Sequence, residues 1–383
     1  TLSYRAWDQT GGTGAQVHTK VDASTNGGTT PFSTDPATAT VGVYNLVIDN
    51  GEIIYTAAAG EVNDIRVSID PTTGELLIVD ANGNPVTTGE ADSDPSGSGI
   101  GIAYSGEDLT IETNSEDDII RFGNMGTFAG SITADGGADF DQIESFRTEV
   151  VLDPTASIDM DAEQIKLMLS SFSAGGNIDL NGTDPLDNSG GTETYDGLWL
   201  YGTDLETTGT GSTITLAGEG GDTGTHNNGV KLTNGSEVKT ADGDIDIDGT
   251  GGGDALYGTG VALHHSSSLS AGGDGNLTID GTGGGGSSFN EGVFFSTGTS
   301  ATVADGDLTI TGTATGDGSQ NQGVDFTGTA LEATGDGNIT VTGTGSGSGA
   351  NNIGFSTTAT DIATTSGKVT LTGSGGAGTS YNQ

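Results

Sequence analysis

Four aspartates recur at one place in the repeats of the second half of the chain, and their carboxylates could bind a cation. Asp242, Asp274, Asp305 and Asp336 each stand directly before the Gly that opens a repeated segment. If the copies stack as neighbouring strands, about 4.8 Å apart, adjacent carboxylates repel by about 1 kcal/mol even in water. Ca²⁺ takes carboxylate and carbonyl oxygens as ligands and would relieve that repulsion. Two interpretations follow, a calcium ladder or a row of hydrated Asp-Gly turns.

A second candidate calcium site lies in the segment Gly-Gly-Ala-Asp-Phe-Asp-Gln-Ile at 136–143. Asp139 and Asp141 supply its carboxylates. The segment resembles one copy of a calcium-binding nonapeptide repeat, although Asp139 stands where a Gly is usual. Ca²⁺ is the only cofactor that the sequence suggests.

No set of residues predicts catalysis. A polysaccharide lyase built on a β-helix needs a basic residue, usually Arg, and no Arg follows Arg147. A glycosidase needs two carboxyl groups at a set separation, and the pair Asp117-Asp118 is better interpreted as a solvated turn. The pair His264-His265 could bind a metal, but no third ligand is evident, which favours a surface turn. No Ser/His/Asp or phosphate-loop pattern is present. We therefore predict that the chain is not an enzyme.

These residues belong to a unit that is repeated from Gly176 to Gln383. Each copy opens on Gly, or on Ser212 in one copy, followed by a polar residue and then an alternating pair of apolar residues. The successive pairs are Ile178 and Leu180, Ile214 and Leu216, Ile245 and Ile247, Leu277 and Ile279, Leu308 and Ile310, Ile339 and Val341, and Val369 and Leu371. A period of about 31 residues with this regularity is typical of stacked repeats.

Two further apolar positions follow each opening at fixed distances, as at Val230 and Val238 or Val261 and Leu269. Alternation with period two predicts strands with one buried face. The Gly, Asn, Asp and Thr between them disfavour helices. Three short strands per repeat predict an all-β fold, a right-handed parallel β-helix with about 31 residues per coil. We also favour a strand over a helix at 162–169.

An Asn recurs three residues before the second strand. The positions are Asn227, Asn290, Asn321 and Asn352, with Gly258 in the remaining copy. Asn and Gly both tolerate a left-handed backbone, and stacked Asn side chains can form hydrogen bonds along a ladder. We predict a ladder of corner residues, with exposed turn residues as the alternative.

Composition excludes several partners. The formal net charge of the 383 residues is −44, and such a surface repels the phosphates of nucleic acids and anionic lipids. No apolar run approaches the length that spans a membrane. We therefore expect neither nucleic-acid binding nor membrane insertion. The chain has no cysteine, so disulfides contribute nothing.

Residues 1–42 differ from the repeats. The segments LSYRAWDQTGGTG at 2–14 and VDASTNGGTTPFSTDPATATVGV at 21–43 resemble the closing strands of cadherin-like, immunoglobulin-type repeats of giant bacterial surface proteins. The Gly/Thr-rich coils are similar to filamentous-haemagglutinin-type segments of such proteins. The resemblance implies an extracellular, multidomain adhesin or matrix protein at the bacterial cell surface. Only the end of the cadherin-like module is present, which implies a partial β-sandwich.

The rest of the chain divides into two predicted parts. Residues 43–105 are expected to form a β-rich cap and the first irregular coils, with coil openings at Gly74 and Gly106. Residues 106–383 are expected to form the β-helix, with regular repeats from 176 and a protruding loop at 183–195. The last copy stops inside a coil at Gln383, so we expect the natural protein to continue.

The predicted function is structural or adhesive. An acidic stalk or filament would present contact surfaces on its Thr, Asp and Asn faces and on the loop at 183–195. Its expected partners are copies of itself, or cell-surface and matrix components that include glycans. The alternatives are a self-assembling sheath or filament subunit and, less favoured, a polysaccharide-active β-helix enzyme.

Overall fold

The chain forms two compact units, Thr1–Tyr44 and Asn45–Gln383. The computed structural model describes residues 2–4, 37–39, 45–88, 99–183, 195–222, 224–253, 256–378 and 380–382. In the first unit Leu2–Tyr4 and Ala37–Ala39 form an antiparallel pair. The rest of the predicted cadherin-like module, and all but the two ends of the predicted loop at 183–195, lie outside the described residues.

The second unit contains three long β-sheets and, in its described residues, no helix. Sheet 1 contains Leu46–Asp49, Glu52–Thr56, Asp108–Glu112, Ile132–Asp135, Ile158–Ala162, Ile178–Thr183, Ile214–Glu219, Ile245–Thr250, Leu277–Thr282, Leu308–Thr313, Ile339–Thr344 and Val369–Ser374. Sheet 2 contains Asp64–Ile69, Leu76–Asp80, Ile100–Ile102, Ile119–Phe122, Gln142–Phe146, Gln164–Met168, Leu198–Tyr201, Val230–Thr233, Val261–Leu263, Val293–Phe295, Val324–Thr327 and Phe355–Thr358. Sheet 3 contains Gly126–Phe128, Glu149–Leu152, Ser171–Ala174, Asp204–Thr210, Glu237–Asp242, Ser268–Ala271, Ser300–Val303, Ala330–Ala333 and Asp361–Thr364.

Equivalent residues of successive repeats lie side by side. Ile245 pairs in parallel with Leu277, Leu277 with Leu308, and Leu308 with Ile339. Within each repeat the chain passes through sheet 1, sheet 2 and sheet 3 in that order. The predicted stacking of repeats is confirmed, and the all-β fold with its long parallel sheets is compatible with a β-solenoid.

Alternation along each strand builds the core. In Ile245–Thr250 the residues at the first, third and fifth positions are buried and the intervening ones are exposed. Ile245 and Leu277 are both fully buried, as expected for side chains that stack between neighbouring strands. Residues 164–168 form a strand and not a helix, because Ile165 and Leu167 must both enter this core.

The first coils differ from the prediction. Gly74 does not open a coil, since the strand that follows it pairs antiparallel with Asp64–Ile69 in sheet 2. The segment that occupies the opening position is Glu52–Thr56, which pairs in parallel with Asp108–Glu112. The hairpin is therefore inserted in the sequence between the paired strands Glu52–Thr56 and Asp108–Glu112, and it extends one end of sheet 2. The spacing from Gly74 to Gly106 matched the repeat period by coincidence.

The predicted Asn ladder is present and buried. Asn290, Asn321 and Asn352 are fully inaccessible to solvent. The Asn321 Oδ1 atom accepts a hydrogen bond from the backbone N–H of Asn290 (3.1 Å), and the Asn352 Oδ1 atom accepts one from the backbone N–H of Asn321 (3.1 Å). Each side chain thus satisfies a buried donor of the repeat before it. The alternative interpretation of these Asn residues, a row of exposed turn residues, is wrong.

The left-handed corner itself lies one residue earlier than predicted. The residues directly before the ladder have positive φ angles, 65° at His226, 65° at Tyr257, 59° at Phe289 and 58° at Gln320. The chain reverses there, so the following Asn can turn its amide inward while the side chain at the corner points outward. Large side chains at positive φ are uncommon, so these four positions are candidates for a functional role.

A second ladder, here called the amide–acid ladder, stands before the openings in sheet 1. The Asp244 Oδ1 atom accepts from the backbone N–H (2.7 Å) and Nδ2 of Asn276, whose Oδ1 accepts from the N–H of Asp307 (2.9 Å). Asp307 binds the N–H and Nδ2 of Asn338 in the same way. Because acids and amides alternate, no two carboxylates are adjacent.

Candidate functional site

The four repeated aspartates lie where the chain passes from sheet 3 to sheet 1, and Asp242 is the last residue of its sheet 3 strand. Asp274, Asp305 and Asp336 are exposed and Asp242 is half-buried. The Asp242 Oδ1 atom accepts from the N–H of Asp274 (3.2 Å), and the Asp305 Oδ1 atom accepts from the N–H of Asp336 (3.3 Å). The carboxylates therefore hold their neighbours' turns, which is the geometry expected for hydrated Asp-Gly turns. Calcium binding along this row stays a prediction.

The second pair of predicted ligands divides into an exposed and a buried residue. Asp139 is exposed with a φ of 85°, whereas Asp141 is 1% exposed. The Asp141 Oδ1 atom accepts from the N–H of Asp118 (2.7 Å), and its Oδ2 atom has no hydrogen-bond partner among the described residues. Burial raises the pKa of Asp141 to about 8, and the nearby Glu163 and Asp118 carboxylates add to the shift.

Asp118 is not the solvated residue that the sequence suggested. Its side chain is 1% exposed and binds the backbone N–H of Asn63 (2.6 Å), and burial raises its pKa. Among the described residues no group of three or more His, Asp or Glu side chains is arranged to hold a metal ion.

The outward face of sheet 2 gathers residues that the sequence did not place together. On neighbouring strands of this face, Arg66 lies beside Arg121, Lys166 beside Trp199, and Trp199 beside Lys231. Thus four of the nine Lys and Arg residues of a chain with net charge −44 lie on one strip.

Three rings stack along the left-handed corner beside this strip. The His226 and Tyr257 rings lie 4.5 Å apart with an interplanar angle of 15°, and the Tyr257 and Phe289 rings lie 4.9 Å apart at 21°. Tyr257 is 37% exposed. The positive φ angles aim these side chains outward, so the rings form a flat apolar platform that solvent can reach.

The platform lines one side of a cavity of about 420 Å³, here called the aromatic groove. Its lining consists of His226, Asn228, Lys231, Tyr257, Thr259, His264, Phe289, Glu291, Phe294, Gln320, Gln322 and Asp325. Aromatic walls with a few polar groups are typical of sites for small organic ligands.

Two carboxyl groups in the aromatic groove are shifted toward their neutral forms. Burial raises the pKa of Glu291 to about 7, with a further contribution from Asp325. Burial also raises the pKa of Asp325. The Thr259 hydroxyl donates to Glu291 (3.3 Å) and Gln322 Nε2 donates to Asp325 (3.4 Å). The groove therefore offers both hydrogen-bond donors and acceptors near neutral pH.

A cation and a neutral histidine complete the groove. The Lys231 Nζ atom lies 2.8 Å from Asp196 Oδ2 and 5.3 Å from the centre of the Trp199 ring. Burial lowers the pKa of His264 to about 4, and the charges of Lys231 and His265 add to the shift. Of the predicted histidine pair, His264 thus faces the groove while His265 is exposed.

Sequence reasoning missed the aromatic groove because its rings are isolated in polar turns. A signal was present, however. The residues before the first four members of the Asn/Gly ladder are His, Tyr, Phe and Gln, and Asn351 precedes the fifth. Stacked repeats must bring such a constant register onto one line.

No protein-family model, no curated protein and no solved structure matches this chain. Its class is therefore defined by the structure alone: an all-β protein with long parallel sheets and a solvent-accessible aromatic groove. Within the described residues, no helix has the length and apolar character needed to cross a bilayer.

Proposed function

We propose that this chain is a structural or adhesive stalk of an extracellular bacterial surface protein, and that it binds glycans in the aromatic groove. In this proposal the stalk is a right-handed parallel β-helix with about 31 residues per coil. Its support is the parallel register in which Leu277 pairs with Leu308 and Leu308 with Ile339.

The stacked rings of His226, Tyr257 and Phe289 carry the proposal. A sugar ring has an apolar face of C–H groups and a rim of hydroxyls. The face packs well on a flat aromatic platform, and the hydroxyls can exchange hydrogen bonds with Glu291 and Asp325, which line the same cavity. Burial raises the pKa of both carboxyl groups and so disfavours their charged forms, which suits an uncharged ligand.

The experiment measures binding of the full chain to neutral oligosaccharides by calorimetry, using hexasaccharides of glucan, mannan and xylan. The test variant is Tyr257→Asn, because Asn351 occupies the equivalent corner without strain, with a φ of 62°. We expect the affinity to fall about fivefold, since aromatic stacking contributes about 1 kcal/mol beyond area burial.

The matched control is Tyr381→Asn. Tyr381 has the same residue type and a φ of 53°, but it is 76% exposed and outside the groove. Unchanged binding in the Tyr257 variant, or equal losses in both variants, would refute the groove as the binding site.

A further inference from the structure

A second cavity, here called the basic cavity, lies at the other end of the sheet 2 face. It has a volume of about 460 Å³, and Arg66, Arg121, Lys166, Phe146 and Met168 contribute to its lining. None of these residues lines the aromatic groove. The basic cavity can therefore be tested independently.

The cations of this cavity are only partly neutralised. Arg121 forms ion pairs with Asp64 and with Glu144, the latter at 3.1 Å. Arg66 has a single contact of 3.3 Å with Asp64, and its side chain remains 59% exposed. Lys166 has no ion pair among the described residues. Three cations thus face two carboxylates, a local excess of positive charge within a strongly acidic chain.

The register of sheet 2 separates the available cations. Arg66 pairs with Arg121, Arg121 with Glu144, and Glu144 with Lys166. Three strand spacings of about 4.8 Å place Arg66 and Lys166 about 14 Å apart along the face. A single small anion cannot bind both, whereas a chain with repeated acidic groups can.

Apolar surface accompanies this charge. Phe146 is 58% exposed, and the Arg147 guanidinium lies 4.9 Å from the centre of its ring. Such a ring can pack against the C–H face of a sugar. Guanidinium groups bind planar carboxylates through paired N–H donors.

We propose that the basic cavity binds an acidic polysaccharide through the carboxylates of its uronate units. Arg66 and Lys166 contact separate acidic groups, and Phe146 packs against the sugar between them. This inference deepens the proposed glycan-binding function by naming a class of ligand, but it depends on different residues.

The experiment measures binding of the full chain to sodium polygalacturonate by calorimetry, with neutral dextran and dextran sulfate as comparison ligands. We expect Arg66→Gln and Lys166→Gln each to weaken polygalacturonate binding at least tenfold, because each removes charge-assisted hydrogen bonds. The matched control is Lys239→Gln, which removes the same charge from sheet 3, where Lys239 pairs with Glu206 at 3.4 Å. Its affinity should be unchanged.

Each outcome decides the proposal. Equal losses in all three variants would indicate nonspecific charge effects and would overturn it, as would a failure to bind polygalacturonate. Stronger binding of dextran sulfate, which has sulfates but no carboxylates, than of polygalacturonate would overturn the assignment to uronate carboxylates. If Tyr257→Asn weakens binding of neutral saccharides while Lys166→Gln leaves polygalacturonate binding intact, the aromatic groove stands and the basic cavity does not.

Discussion

Replacement of Asp141 by Asn is expected to stabilise the protein increasingly as the pH rises. Asp141 is buried, with its Oδ2 atom lacking a hydrogen-bond partner among the described residues, and its pKa is raised to about 8. Between pH 4 and 8 the unfolded chain has released this proton while the folded chain keeps it. The unfolded state therefore binds fewer protons, and the free energy of unfolding falls with rising pH.

The magnitude follows from the size of this shift. About four pKa units separate the buried carboxyl from its ordinary value, and each unit corresponds to about 1.4 kcal/mol. The wild type should therefore lose at most about 6 kcal/mol between pH 4 and 8 through this residue. Asn cannot titrate, so its contribution should be constant across the range.

The assay is equilibrium urea unfolding at pH 5, 6, 7 and 8, with the slope of each transition compared to detect stepwise unfolding of the coils. The control is Asp139→Asn, which changes the exposed neighbour in the same turn. Parallel pH profiles for the wild type and Asp141→Asn would refute the reasoning. Addition of Ca²⁺ at pH 8 tests the calcium prediction as well, because binding at this pair would stabilise the wild type and not Asp141→Asn.

Two further substitutions test the packing of the coils. A Cβ atom on Gly281 would lie 2.1 Å from the carbonyl oxygen of Gly292, whereas one on Gly285 would have nothing within 4 Å. Gly281→Ala should therefore lower the free energy of unfolding by about 1–3 kcal/mol in thermal or urea unfolding, and Gly285→Ala should not. Equal stabilities of the two variants would contradict this close approach. Asn321→Ala should cost roughly 1–3 kcal/mol, because it leaves a buried N–H of the preceding repeat unsatisfied, and an equal loss in the exposed Asn338→Ala would contradict the importance of the buried ladder.

The fold was predictable where one residue type recurs at one register. Ile245, Leu277 and Leu308 repeat at nearly constant spacing, and parallel pairing between them is the arrangement that buries all three. The hairpin after Gly74 was not predictable in the same way, because a single copy of the opening pattern can match the repeat period by chance.

The sites were harder to predict than the fold. Asp118 and Asp141 look like surface residues, since burial of a carboxyl depends on the strands stacked above and below it. The platform of His226, Tyr257 and Phe289 combines three residue types, so no single-letter pattern reveals it. Their constant place before the Asn/Gly ladder is the sequence signal that these corners share one line.

The amide–acid ladder has a consequence for how such a chain can change its length. Deletion or duplication of one repeat would place two acids or two amides together at the new junction, for example Asp244 against Asp307. Gain or loss of two repeats at once would preserve the alternation of Asp244, Asn276, Asp307 and Asn338. Evolutionary growth of this array, and any engineered shortening of it, is therefore expected to proceed in pairs.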